Sequence, residues 1–155
     1  MGLFDKFKKK DNTILSPVSG MMIPASEISD PVFSEEMMGQ TIGFIPDDGY
    51  IVCPVDGTVE VAFPTGHAFG IKGVDGNGYL VHIGIDTVSL EGKGFNALLK
   101  QGEKVKAGQP AVEMDINLVK ETGLNTTTIL IITEKVKDVH YIDFKHVNKG
   151  DKINK

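Results

Sequence analysis

The segment FPTGHAFGIKGVDGNGYLVHIGIDTV, residues 63–88, reads as two short apolar runs around the turn cluster Gly73-Val74-Asp75-Gly76-Asn77-Gly78. Glycine, asparagine and aspartate tolerate the positive φ of tight hairpin turns, so the spacing predicts a β-hairpin. Folding the two runs side by side brings His67, six residues before Gly73, towards His82, four residues after Gly78. With a bulge to correct the parity, the two imidazoles become cross-strand neighbours on one face. Gly66 and Gly84 flank them and remove side chains that would keep a ligand or partner away.

The same punctuation extends on both sides of the hairpin. Eighteen glycines and seven prolines divide the chain into short apolar runs with turn clusters every ten residues or so. Strands are predicted at 13–16, 20–24, 41–45, 50–53, 57–64, 68–72, 79–85, 111–115 and 128–133. Residues 104–110 read as a charged strand end and turn. Helical signals are confined to 34–38, where Ser34 precedes two acids, to 116–121 after Asp115, and to a turn or two within 92–100. One unit recurs: Ser16-Pro17-Val18-Ser19-Gly20 and Cys53-Pro54-Val55-Asp56-Gly57 each place a Pro-Val-x-Gly turn before a strand. The expectation is an all-β fold, an antiparallel β sandwich or flattened barrel with a duplicated hairpin motif and a few short helical turns.

Composition narrows the function. A chain of 155 residues fits one domain, and its single cysteine, Cys53, can form no internal disulfide. With no leader-like apolar run at the start, the reading is a cytoplasmic protein, a stand-alone subunit and a monomer. Net charge is +2 over residues 1–26, −9 over 27–90 and +2 over 91–155, so the histidine region is the acidic one. That excludes nucleic acid as the partner of this face and favours proteins with basic surfaces. The sequence contains no arginine, so an anion site must use lysine, histidine, hydroxyls or backbone N–H groups. Residues 1–12, MGLFDKFKKKDN, form a flexible basic amphipathic tail ahead of a domain at 13–155, and residues 1–10 are a candidate for weak membrane contact.

Three chemistries use paired histidines. A zinc hydrolase requires a third protein ligand, and His140 and His146 lie far along the chain. A nucleophilic triad requires a serine or cysteine in a recognisable setting, which neither Ser89 nor Cys53 has. Phosphoryl transfer through phosphohistidine asks least: one neutral imidazole as nucleophile and a second as hydrogen-bond donor.

The run Gly78-Tyr79-Leu80-Val81-His82-Ile83-Gly84-Ile85-Asp86-Thr87-Val88, with Thr65-x-His67-Ala68-Phe69 before it, closely resembles the glucose-type enzyme IIA of the bacterial sugar phosphotransferase system. Pro17-Val18-Ser19-Gly20, Asp30-Pro31-Val32-Phe33 with Met38-Gly39, Cys53-Pro54-Val55-Asp56-Gly57, Gly92-x-Gly94-Phe95, Val105-x-x-Gly108 and Asp115 follow the same family pattern in order, over residues 14–150. The resemblance implies an antiparallel β sandwich with a duplicated hairpin. It implies that His82 accepts phosphate from the phosphohistidine of HPr and passes it to a cysteine on the IIB domain of a sugar permease, with no cofactor. It makes His67 the supporting histidine and Thr65 the hydroxyl that orients it, and sets Asp86 and Asp30 beside the pair. Phe33, Met37, Met38, Phe63, Phe69, Leu80 and Val88 are the candidate apolar docking surround, about half of them exposed. Asp86 has a plainer reading, as the cap of the turn after its strand. Two alternatives remain at this stage: a regulatory binding protein switched by phosphorylation of His82, and a zinc peptidase of the same topology. Cys53 reads as structural, and His140 and His146 as solvated.

Overall fold

The computed structural model describes residues 13–155; the stretch at 1–12, and with it the expectation of weak membrane contact by residues 1–10, lies outside the described residues. Eleven strands follow in order: β1 (Gly20–Pro24), β2 (Gln40–Pro46), β3 (Tyr50–Val52), β4 (Gly57–Ala62), β5 (Ala68–Gly73), β6 (Gly78–Ile83), β7 (Phe95–Ala97), β8 (Lys104–Val105), β9 (Pro110–Met114), β10 (Thr128–Glu134) and β11 (His146–Val147). They form an eight-stranded sheet, β11-β1-β2-β10-β6-β5-β4-β8, and a three-stranded sheet, β3-β9-β7, and every ladder is antiparallel. Phe44, Phe69, Ile71, Tyr79, Val81, Ile83 and Leu130 from the large sheet meet Ile51, Ala111, Val112 and Met114 from the small one in a single core. The architecture is therefore a β sandwich. Both sheets keep edge strands, so the flattened barrel is not realised.

The repeated Pro-Val-x-Gly turn marks a true duplication of structure. Leu15 N–H donates to the Pro54 carbonyl and Val52 N–H to the Pro17 carbonyl, both at 2.8 Å, so each turn holds the strand before the other. The Ser16 carbonyl accepts from Gly150 N–H as the Cys53 carbonyl accepts from Gly108 N–H. Gly20 pairs with Val147 on β11, and Gly57 pairs with Val105 on β8. The two halves, β1-β2-β10 and β4-β5-β6, are thus related by an approximate two-fold between β10 and β6. Register identifies equivalent positions: Thr41 lies opposite Ile131 as Ala68 lies opposite His82.

What differs between the halves is the loop joining the paired strands. Residues 25–39 connect β1 to β2 through a 3-10 turn, Ala25–Glu27, and a single helical turn, α1 (Pro31–Ser34). This connection lies over the outer face of its own half, where Ile23, Ile28, Phe33, Ile85, Ile129 and Ile131 form a second apolar cluster. Burying each of Ile129 and Ile131, both 0 % exposed, contributes about 1.5–3 kcal/mol. Only residues 63–67 join β4 to β5, and the outer face of that half stays open.

Several local expectations shift. Residues 13–16 make one isolated bridge, Leu15 to Lys152, rather than a strand. The helical turn sits at Pro31–Ser34, ahead of the expected 34–38, because Asp30 caps it, its side chain accepting from Val32 N–H at 2.8 Å, and Pro31 opens it. Residues 92–100 hold the strand β7, while the 3-10 turn lies earlier, at Thr87–Leu90. The second helix, α2 (Ile116–Glu121), stands where Asp115 predicts it, that side chain accepting from Leu118 N–H. No helix among the described residues is long and apolar enough to cross a membrane.

Candidate functional site

His82 occupies the outer face of β6 because the strand alternates. Val81 and Ile83 point into the main core, and Leu80 and His82 point away from it. On one side His82 lies opposite Ile129, on the other opposite Ala68, whose methyl group leaves room for the ring. Register across β5 and β6 runs unbroken from Ala68–His82 to Lys72–Gly78, so the bulge expected between the histidines is absent. The bulge lies in β4, between Val59 and Val61. His67 instead sits one residue outside the strand, where Gly66 at φ +73 has turned the chain out of the pleat. Its carbonyl still accepts from Ile83 N–H at 2.7 Å. The two imidazole centroids end 5.5 Å apart at an angle of 76°.

Each ring is held from two directions. His82 Nδ1 lies 2.7 Å from the Gly84 carbonyl oxygen. A carbonyl only accepts, so Nδ1 carries the proton and the neutral ring keeps its lone pair on Nε2. Gly84, at φ +76, turns the chain so that its carbonyl meets the ring; a Cβ there would stand 2.4 Å from Thr87 Cγ2, which excludes other residues. Phe33 packs on the His82 ring at 5.1 Å between centroids. His67 is buried, with Nδ1 2.5 Å from Thr65 Oγ1 and the Phe63 ring 5.0 Å away. The hydroxyl can serve that nitrogen as donor or acceptor.

Burial lowers both imidazoles below the usual histidine value of 6.5, so both are neutral at pH 7. For His67 the neighbouring His82 adds to the lowering. For His82 the Gly84 hydrogen bond and the charges of Asp30 and Asp86 act in the opposite direction without overcoming burial. Asp30 is already engaged as the cap of α1. Asp86 is exposed, in the left-handed region at φ 61, and its carboxylate makes no capping hydrogen bond; the Ser89 N–H and hydroxyl go to its main-chain carbonyl. Asp86 therefore does cap the turn after its strand, as the plainer reading has it, but through its main chain and not its carboxylate.

Of the apolar surround, Met37, Met38, Phe63 and Val88 are exposed, from 40 % to 69 %, and Leu80 is half-buried against the second cluster. Phe33 is buried but touches His82. Phe69 is a correction. It lies 1 % exposed in the main core, because it pairs with Val81 and so faces inwards, leaving the docking face to Ala68. Sequence reading missed Val32, exposed in the same turn as Phe33, and the Gly84 carbonyl, which leaves no side-chain signature. Cys53 is fully buried, its thiol pushed up to about 12 by burial and then by the charge of Glu103, and is inert. His140 is exposed, and the half-exposed His146 pairs with Asp47 at 2.6 Å. Among the described residues no group of three or more His, Cys, Asp or Glu side chains is placed to hold a metal ion, so a three-ligand zinc centre has no donor set here.

Comparison with known proteins identifies relatives of the chain as a whole. Residues 12–138 match the family model described as phosphoenolpyruvate-dependent sugar phosphotransferase system, EIIA 1. The chain is 38% identical over 153 residues to a glucose-specific EIIA component from Staphylococcus epidermidis, covering 96% of this chain and 92% of that protein. It is also 38% identical over 141 residues to the glucose-specific EIICBA component of Staphylococcus carnosus, covering 90% of this chain but spanning only 21% of that longer protein. Among solved structures, glucose permease IIA from Mycoplasma capricolum superposes with a TM-score of 0.84 at 35% identity, covering 92% of this chain and 93% of the other.

Proposed function

The chain belongs to the EIIA 1 family of the phosphoenolpyruvate-dependent sugar phosphotransferase system, and from that premise we propose that it carries a phosphoryl group on Nε2 of His82. The observation behind this reading is the Nδ1 hydrogen bond to the Gly84 carbonyl, which leaves Nε2 as the nucleophilic nitrogen of a neutral ring. In the forward step the Nε2 lone pair attacks phosphorus of a phosphohistidine donor, HPr. A new N–P bond forms as the donor's N–P bond breaks, and that electron pair returns to the donor imidazole. Little covalent chemistry is asked of the protein, so positioning and charge do the work.

His67 supplies a hydrogen bond to the phosphoryl oxygens. For this its Nδ1 accepts from the Thr65 hydroxyl, leaving Nε2–H to face the phosphoryl group. Asp30 and Asp86 act after transfer. Their charges lie close enough to bear on His82, and repulsion from the incoming phosphoryl group favours its departure to a cysteine of a IIB domain. Relatives that carry EIIA within an EIICBA chain support a IIB domain as the receiver. Met37, Met38, Phe63 and Val88, with Val32, form the rim on which both partners dock.

The test is intact mass after incubation with phosphoenolpyruvate, enzyme I and HPr. Wild type is expected to gain one acid-labile phosphoryl group, and His82→Gln none. His67→Gln is expected to accept phosphate but to transfer it onward at least about a hundredfold more slowly, the scale of losing one pre-aligned donor. An unmodified wild type would overturn the proposal.

A further inference from the structure

The hydrogen bond that assigns His82 its tautomer depends on the position of the Gly84 carbonyl, and that carbonyl belongs to a peptide held from outside its own strand. β6 ends at Ile83, and beyond it the Gly84 N–H donates to the Thr127 carbonyl at 3.1 Å and the Ile85 N–H to the Asn125 carbonyl at 2.9 Å. Both acceptors lie in the approach to β10, in a stretch with no ladder of its own. Two side chains bond within that stretch: the Thr128 hydroxyl donates to the Thr126 carbonyl at 3.3 Å, and Asn125 makes the shorter contacts. Asn125 Oδ1 accepts from Thr127 N–H at 2.9 Å and from the Thr127 hydroxyl at 2.7 Å, closing a turn over Thr126. Its Nδ2 reaches Ser29 Oγ at 3.4 Å, in the segment that leads into Asp30.

We propose that Asn125 is a positioning residue for His82: its carboxamide shapes the 125–127 turn whose carbonyls anchor Gly84 and Ile85, and so aims the Gly84 carbonyl at Nδ1. Asn125 touches neither histidine in this arrangement. Its effect passes through three hydrogen bonds in series, from the carboxamide to Thr127, from the Thr127 carbonyl to Gly84, and from the Gly84 carbonyl to the ring. The importance of this for transfer rests on His82 being the phosphoryl acceptor, because only the Nδ1–H form offers Nε2. In a neutral histidine free of such a contact the proton is shared between the two nitrogens, and every ring with its proton on Nε2 is lost to the reaction. The carboxamide is exposed, so replacing it leaves the core of the sandwich untouched.

The experiment reads the tautomer directly. Nitrogen-15 NMR of the unphosphorylated protein, near pH 8, is recorded for wild type, Asn125→Ala and Asn125→Asp, with the amide signals of Ile83 and Ile129 as a check that β6 and β10 remain paired. Wild type is expected to show His82 protonated on Nδ1. Asn125→Ala is expected to show a mixture of tautomers and a phosphoryl uptake slower by about threefold to tenfold, the scale of one hydrogen bond. Asn125→Asp keeps the acceptor oxygen and is expected to keep the wild-type tautomer. An Nδ1–H signal in Asn125→Ala as complete as in wild type would overturn the inference, and so would loss of that tautomer in Asn125→Asp to the same extent as in Asn125→Ala. Because the tautomer is observed with no phosphoryl donor present, a wild type that takes up no phosphate would contradict the proposed function and leave this result standing.

Discussion

The two halves of the large sheet share backbone, register and turns, yet only one of them carries the histidine pair. In the half β4-β5-β6 the outer face presents His82, with His67 just before β5. At the equivalent positions of the half β1-β2-β10 stand Ile131 and Gln40. Ile131 is fully buried under the 25–39 connection, and the Gln40 side-chain N–H group donates to the Val139 carbonyl. The difference follows from the length of one connection. A long loop carrying α1 folds back over its own half and buries it, while the short 63–67 turn leaves its half open. The long loop also serves the open half, since Phe33 packs on His82 and Asp30 bears on its charge. Duplication thus supplies a cover on one side and a reactive surface on the other.

The comparison breaks most visibly if the pair is transplanted. In a chain carrying His67→Gln and His82→Gln, the changes Gln40→His and Ile131→His place imidazoles at the equivalent sites. The expected result is no phosphoryl uptake by intact mass, with a stability loss of about 2–4 kcal/mol in denaturant unfolding, because a buried aliphatic side chain becomes an unpaired imidazole. Phosphate found at position 131 would mean that the loop cover is not what separates the halves.

A smaller effect sharpens the role of the short turn. Thr65→Val removes the hydroxyl beside His67 Nδ1 while conserving shape. Onward transfer to a IIB domain is expected to slow by about tenfold, with docking unchanged, the size of one hydrogen bond to a group that must stay aligned. Unchanged transfer would remove Thr65 from the mechanism.

The smallest expected effect concerns pH. Both imidazoles titrate below the usual 6.5, so phosphoryl acceptance should stay level as pH falls through 6.5 and decline only below the lowered values. The same shift affects stability with a defined sign. Below about 6.5 the unfolded chain takes up protons that the folded chain resists, so wild type loses stability as pH falls through that value, and the loss levels off once both folded imidazoles are protonated. Unfolding of wild type and of the His67→Gln, His82→Gln double variant, compared from pH 8 to pH 5, should show the stability of wild type falling more. Parallel curves would contradict the assigned burial of the pair.

Much of this was legible in sequence, and the exceptions share physical causes. The hairpin at 68–83 was readable because glycine, asparagine and aspartate mark its turn, and the duplication because Pro-Val-x-Gly recurs. β11 was hard to see, being two residues long with one apolar side chain, whereas the equally short β8 falls within the charged strand end read at 104–110. A signal existed, since Val147-Asn148-Lys149-Gly150 repeats the spacing of Val105-Lys106-Ala107-Gly108. The helical turn was misplaced because Ser34 with its two acids imitates a start that Asp30-Pro31 in fact makes. Phe69 was misassigned although parity could have corrected it, since a residue next to Ala68 cannot share the face that Ala68 shares with His82. The Gly84 carbonyl and its tie to the 125–127 turn were beyond reach, because a backbone acceptor and a pairing between distant segments leave no local pattern.

The most direct measurement of the central claim is the site of phosphorylation on the ring. Protein labelled with nitrogen-15 and charged from phosphoenolpyruvate through enzyme I and HPr would be examined for phosphorus–nitrogen coupling at His82. Coupling to Nε2, with Nδ1 still protonated against the Gly84 carbonyl, is the result this structure predicts. Coupling to Nδ1, or phosphate on any other residue, would contradict it.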